Sequence, residues 1–316
     1  MKSNRAIEHF VAPVEETPLL ATDAVKTDEA PLSLWADAWR KLRRRPLFII
    51  SSIMIVLLII VAAFPGLFTQ VEPNNGCQLA NSNGAPSAGH PLGFTFQGCD
   101  IYSRMIHGTQ ASITVGVLSV LCVLIIGVTL GALAGFYGGW VDAVIARLGD
   151  IFFALPLILG ALVITQLPIF RENRGVLTVV MVIVVLGWPQ MARITRGAVI
   201  EVRNADFVMA ARSLGVSSIG SLVRHVLPNA LAPIIVLATM ELGVFIVAEA
   251  TLSFLGIGLP GSIMSWGNDI AAAQTSIRTN PTILLYPAAA LSVTVLSFIM
   301  LGDALRDALD PKSRQR

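Results

Sequence analysis

Apolar positions along this chain gather into long unbroken runs rather than alternating stripes. Pro46 to Phe64 passes without a charge. At 1.5 Å per residue that is enough helix to cross about 30 Å of hydrocarbon, which places a first transmembrane helix at 46–66. Roughly 45 residues precede it, too many for the leading segment of a cleavable signal peptide, so the helix is expected to stay in the protein. Further runs predict spans at about Thr109–Phe136, Ile151–Leu167 with Pro156 inside and a start as early as Val144, and Val176–Met191, ending near Trp188-Pro189. Two more cover Ala230–Leu255 and Ile283–Leu301, the latter with Pro287 inside. Six spans make an all-α membrane protein. In the second span Gly127, Gly131 and Gly135 recur every four residues, so they share a face on which another helix can approach closely. The plain alternative is a helix that merely tolerates glycine in lipid.

The segments between the runs have their own patterns. Residues 1–32 hold Pro13, Pro18 and Pro31 among many acidic and threonine residues, with no apolar period, and read as a disordered cytoplasmic tail. From Ser33 the pattern changes. Leu34, Trp35, Ala38, Trp39 and Leu42 fall on one helical face while Arg40, Lys41, Arg43, Arg44 and Arg45 cover the rest, predicting a basic amphipathic helix over 33–45 lying in a membrane interface. Residues 67–108, rich in Gly, Pro, Asn and Ser, read as an extracytoplasmic loop, and 303–316 as a cytoplasmic tail. The inside segments of this arrangement carry fifteen Lys and Arg near span ends and the outside loops four. That imbalance puts both termini in the cytoplasm.

Composition narrows the chemistry. The chain is 54% hydrophobic and 13% charged, with mean hydropathy +0.73; soluble domains carry about a quarter charged residues. A net charge of +2 gives no reason to expect nucleic acid as a partner. Cys77, Cys99 and Cys122 form no CxxC, and His9, His90, His107 and His225 are scattered, so no metal site is expected. None of the four lysines (Lys2, Lys26, Lys41, Lys312) follows a glycine, so a P-loop is absent. Uphill transport would then need another polypeptide or an ion gradient. No internal repeat is visible, which argues against a carrier built from duplicated halves.

The informative polar stretch is 206–228. Phe207, Ala210, Ala211 and Leu214 share a helical face, and Gly215 suits the left-handed residue that ends a helix. Ser217 or Ser218 can cap a second helix whose face is Ile219, Leu222, Val223 and Val226, and Pro228 closes the unit. Two such short helices have no core of their own. They are stable only against the ends of the spans or against a separate protein; the bland reading is an ordinary amphipathic connector.

This stretch resembles the EAA loop of bacterial ABC importer permeases, a pattern of E-A-A, three residues, Gly, nine residues, Ile, any residue, Leu-Pro. The chain has Ala210-Ala211, Gly215, Leu227 and Pro228 in place, with Met209 for the Glu and His225 for the Ile. Other matches follow in order: WRKLRRRPL (39–47), HPLG (90–93) with Asp100, Ser103 and Arg104, AGFYGGWVDAVIARLGD (134–150), ALP (154–156), GWPQMAR (187–193), RHVLPNALAPIIV (224–236), EATLSFLGIG (249–258) and Trp266-Gly267. The set is similar to C-type permeases of dipeptide and oligopeptide importers in the peptide/nickel branch. The resemblance implies a type I permease fold, with a transmembrane domain over 109–302 in a bacterial inner membrane. It further implies a heterodimer with a B-type permease, two cytoplasmic ATPase domains that use ATP and Mg, an extracytoplasmic peptide-binding protein, and no cofactor on this chain. It assigns ATPase coupling to Asp206, Phe207, Ala210, Ala211, Arg212, Leu214, Gly215, His225, Leu227 and Pro228. The missing glutamate leaves one polar contact unassigned between Asp206 and Arg212. Nickel, glutathione and other small solutes are served by similar subunits; from a different class, a stand-alone channel or ion-coupled carrier, or a membrane scaffold, remains the competing reading.

Inside the fifth span, Glu241 and Glu249 either face the passage or a partner subunit, or form buried helix-to-helix hydrogen bonds, since a carboxylate facing lipid is costly. Arg147 and Asp150 read as a positional pair at the inner interface. Cys77 and Cys99 share the exported loop, where oxidation is permitted, and Cys99 stands where the family pattern usually has a charge. A disulfide between them is expected; Cys122 is expected to be inert.

Overall fold

The computed structural model describes residues 34–309. The tail expected at 1–32 and the last residues of 303–316 lie outside the described residues. Among the described residues thirteen α-helices follow in order: α1 Leu34–Leu42, α2 Pro46–Ala63, α3 Ile101–Tyr137, α4 Gly139–Ala154, α5 Leu157–Thr165, α6 Pro168–Glu172, α7 Val176–Arg203, α8 Asp206–Ser213, α9 Ser218–Ser221, α10 Leu227–Asn229, α11 Leu231–Phe254, α12 Trp266–Ala273 and α13 Thr282–Leu309. Among the described residues there is no strand, only isolated bridges such as Phe94 with Asp100. Five helices of the described residues (α2, α3, α7, α11 and α13) are long and apolar enough to cross a membrane, and α4 with α5 makes a sixth span if that bent pair counts as one.

The architecture is a bundle built on α3 against α7. The glycine stripe explains their closeness. A Cβ on Gly127 would fall 2.6 Å from the Met191 Cβ, on Gly131 2.3 Å from the Ala192 carbonyl oxygen, and on Gly135 2.7 Å from that of Arg196. The stripe is the seat of α7, not glycine idling in lipid. Around this pair Val115, Val123, Val182, Ile183, Ile234, Phe245 and Leu252 form the main core. The outward faces stay apolar, as a lipid-facing surface requires; Ile53 of α2 and Ile125 of α3 are examples.

Four expectations are corrected. The third span is not one helix: α4 and α5 meet at 91°, because Leu155 precedes Pro156 and is held extended (φ −88°, ψ 118°), the conformation a following proline enforces. Conversely α7 does not end at Trp188-Pro189 but runs through to Arg203. Proline removes one helical hydrogen bond, which a membrane bundle tolerates when neighbouring helices pack around the break; Trp188 and Pro189 are both buried. The second span begins at Ile101 rather than Thr109, since the Asp100 carboxylate accepts the Ser103 N–H at 2.8 Å and caps the helix there. Finally, residues 303–309 are helical rather than tail. Ala304 and Ala308 pack against Ala38 and Leu42 of α1, and Arg45 pairs with Asp307 at 2.5 Å.

The loop joining α2 to α3 folds down over the end of the bundle where α3 begins. Arg104 donates to Asp269 of α12 at 2.8 Å and to Asn74 at 2.6 Å, while His90 lies 3.1 Å from Asp100. Gly98, at φ +72°, is required where it stands, as a Cβ there would overlap the Gln78 carbonyl. Cys77 and Cys99 are joined by a disulfide across 22 positions of sequence. Closing a loop of this length contributes about 3 kcal/mol on the chain-entropy account. Cys77→Ser is therefore expected to lower the thermal midpoint of the purified protein, and reducing and non-reducing peptide maps of the wild type should differ in this loop. Identical maps would rule the bond out.

Candidate functional site

The 206–228 unit sits at the opposite end of the bundle, directly beyond the end of α7. Asp206 lies in the first turn of α8, where a carboxylate meets the positive end of the helix dipole. The helix stops before Gly215, whose φ of +89° is the left-handed turn that a glycine supplies without strain. Ser217 then caps α9, its Oγ accepting the Gly220 N–H at 3.2 Å. A π-helical turn, Leu222–Val226, links α9 to α10, which carries Leu227 and Pro228 and leads straight into α11.

The buried side of the unit is Val208, Leu222, Val226 and Ala230, set against Ala132 and Phe136 of α3 and Ala198 and Val199 of α7. Of the two supports that the pattern leaves open, the spans or a separate protein, the first face does not take the spans, while the second face divides, Leu222 and Val226 turning inward and Ile219 and Val223 outward. Phe207, Ala210, Leu214, Ile219 and Val223 do not face the bundle; Leu214 is 87% exposed and Ile219 67%. Met209, in the motif's glutamate position, is exposed beside them, and Ala211 is half-buried. The unit thus buries one apolar edge against the spans and presents a second one uncovered among the described residues, the form a docking surface takes.

A cation–ring contact ties the unit to the spans, and further polar contacts join the spans to one another. The Arg212 guanidinium stacks 4.8 Å from the centre of the Phe136 ring. Arg203, in the last turn of α7, donates to the Gly135 carbonyl at 2.7 Å, a cation on the final carbonyls of a helix. Arg196 of α7 grips Asp142 of α4 with two parallel hydrogen bonds, one of them 2.6 Å long. Asp150 lies 3.7 Å from Arg147 and 3.6 Å from Arg193, all exposed, while Arg193 stacks on Phe153. The Arg203 clasp and the Arg196–Asp142 pair were not anticipated. Both ends of each lay in the quoted motifs or just beyond, but nothing in the spacing pairs residues 54 or 68 positions apart. His225 is half-buried, its carbonyl accepting from Asn229 at 2.7 Å; Leu227 is half-buried, Gly215 and Pro228 exposed.

The two glutamates of α11 differ. Glu249 is fully buried and accepts from Ser112 of α3 and from Ser253, both at 2.9 Å. Ser112 in turn accepts from the Trp266 N–H at 3.4 Å, bringing α12 into the same knot. Glu249→Ala leaves these buried hydroxyls without their acceptor and is expected to destabilise the protein by about 2 kcal/mol; a thermal midpoint equal to wild type would show the knot to be dispensable. Glu241 is buried as well, and its Oε2 has no partner among the described residues. Cys122 is free. No group of His, Cys, Asp and Glu fit to hold a metal occurs among the described residues.

Comparison with known proteins agrees with this geometry. Residues 127–315 match the family described as binding-protein-dependent transport system inner membrane component, and residues 33–86 match the N-terminal TM domain of oligopeptide transport permease C. Among similar curated proteins, the glutathione transport system permease protein GsiD of Pectobacterium atrosepticum is 35% identical over 93% of this chain and 96% of its own length. The oligopeptide permease OppC of Bacillus subtilis is 36% identical over 93% and 95%, and the dipeptide permease DppC of Alkalihalophilus pseudofirmus 36% over 90% and 91%. An inward-facing structure of the MetNI methionine ABC transporter shares the fold at a TM-score of 0.54 and 20% identity, covering 66% of this chain and 96% of that one. An amino acid ABC transporter crystallised with histidines does so at 0.51 and 17%, over 64% and 92%. The chain belongs to the binding-protein-dependent transport system inner membrane components, as a membrane permease subunit of an ABC importer and not its ATPase.

Proposed function

We propose that this chain is the C-type half of a peptide importer, pairing with a B-type permease to enclose the passage and receiving cargo from an extracytoplasmic binding protein. Two partner ATPase domains, using ATP and Mg, close against the 206–228 unit and drive alternating access. The observation that carries the reading is the exposed apolar edge of Phe207, Met209, Leu214 and Ile219 on a unit clasped to α3 and α7. A push on that edge reaches the spans through packed side chains and the stack of Arg212 on Phe136 rather than through a loose linker. The concentration of Lys and Arg near that end of the spans supports a cytoplasmic unit, cytoplasmic termini and residence in a bacterial inner membrane. Peptides are the cargo class, as the relatives' names include oligopeptide, dipeptide and the tripeptide glutathione.

Glu241, buried with one oxygen unpartnered, fits a place at the contact with the second permease or beside the passage. If Glu241→Gln imports at the wild-type rate at equal expression, it has no part in transport. The reading as a whole is tested by reconstituting the chain with its genomic companions in vesicles. Peptide uptake should require ATP and the binding protein, and peptide-loaded binding protein should stimulate ATP hydrolysis. Uptake by this chain alone, driven by an ion gradient, would overturn it.

A further inference from the structure

At the unit end of the bundle, away from the 206–228 edge, four helices leave a groove of about 180 Å³. Its walls are Ala38, Trp39 and Leu42 of α1, Phe48 of α2, Ile235 of α11, and Leu305 and Leu309 of α13. Every one is apolar, so neither a soluble anion nor a peptide has a hydrogen-bonding partner in the slot itself. Immediately after the wall residue Leu42 come Arg43 and Arg44, both exposed and neither engaged in an ion pair among the described residues, while Arg45 is already held by Asp307. An oily slot whose wall residue Leu42 is followed directly by two exposed arginines outside any ion pair among the described residues has the two-part character of a single molecule, hydrocarbon with a negative charge at one end.

We propose that this groove is a binding site for one anionic phospholipid, an acyl chain lying between α1 and α13 and the headgroup phosphate on Arg43 and Arg44. A zwitterionic lipid would offer the same chain, but its headgroup amine would oppose the two arginines. Free phosphate would satisfy the arginines and leave the groove unfilled. The amphipathic pattern of α1 is therefore more than an interface anchor. The position of Trp39, a groove wall that is 58% exposed, matches a ring lying along the lipid at headgroup depth. The site owes nothing to the cargo and stands whether or not the chain carries peptides.

The test is native mass spectrometry on the full chain, delipidated in a non-ionic detergent and titrated with phosphatidylglycerol, phosphatidylcholine or inorganic phosphate. Phosphatidylglycerol should be retained where the other two are not. Each basic residue near an anionic surface adds about 1 kcal/mol, so Arg43→Gln with Arg44→Gln should weaken retention roughly thirtyfold; both side chains are exposed, which keeps the fold out of the comparison. Leu309→Trp, which fills the slot and leaves the arginines in place, should abolish retention. Equal retention of phosphatidylglycerol and phosphatidylcholine, or phosphate binding as tight as lipid, overturns the proposal. So does phosphatidylglycerol retention unchanged by the arginine pair or by the tryptophan.

Discussion

Gly131→Val in α3 is expected to destabilise the protein by about 3 kcal/mol or more, whereas Gly197→Ala in α7 should leave it unchanged or slightly better. At Gly131 the first added carbon already lies 2.3 Å from the Ala192 carbonyl and 2.8 Å from the Thr195 Cβ. Both atoms belong to the backbone, or the first side-chain carbon, of a facing helix, so neither can swing aside. The helices must separate, and overpacking of this kind costs about 1–3 kcal/mol, occasionally more. At Gly197 nothing lies within 4 Å of the added carbon, and alanine is the better helix former by about 1 kcal/mol. Thermal unfolding of the two variants in one detergent decides the matter. If Gly131→Val melts with the wild type, α3 and α7 are not packed as described. Because the unit rests on the far end of this pair, the same variant should also uncouple whatever activity survives.

The second large effect concerns the exposed edge. Phe207→Glu with Leu214→Glu should leave the chain folded, since both side chains already lie largely in the open. The reconstituted importer should nevertheless lose peptide-stimulated ATP hydrolysis and uptake by at least tenfold, because two charges would have to be desolvated wherever the ATPase docks. Val208→Asp is the contrasting variant. Val208 is fully buried against α3 and α7, so its replacement should reduce folded protein rather than coupling alone. Normal stimulation in the glutamate pair would mean that the edge is not where the ATPase pushes.

How much of this was legible beforehand can be judged residue by residue. Spacing by four made the Gly127–Gly131–Gly135 face readable, because a helix's geometry is local and 3.6-periodic. The same periodicity says which residues share a face but not which face turns inward. Hence Phe207 and Leu214 group on one face, while whether that face meets the spans or a separate protein stays open in the pattern alone. Proline misled in both directions. Pro156 breaks a span because its predecessor is driven extended, while Pro189 sits inside a continuous helix because packing compensates the lost hydrogen bond. The cap at Asp100 was visible as a residue type, yet the polar composition around it read as loop. Pairs such as Arg104 with Asp269, and the π-helical turn at 222–226, depend on how distant segments settle in three dimensions. One sequence holds no trace of that.

The Arg104–Asp269 contact also bears on how the molecule is made. Its two partners are separated by 165 residues, so during synthesis α3 enters the membrane with Asn74 already in the chain to meet its guanidinium, while the carboxylate that answers its charge arrives only after α11 has followed. The cap over this end therefore cannot be completed in the order in which it is translated. A chain halted before residue 269 would hold this cation at the head of α3 without its carboxylate, which sets a truncated product apart from a finished one.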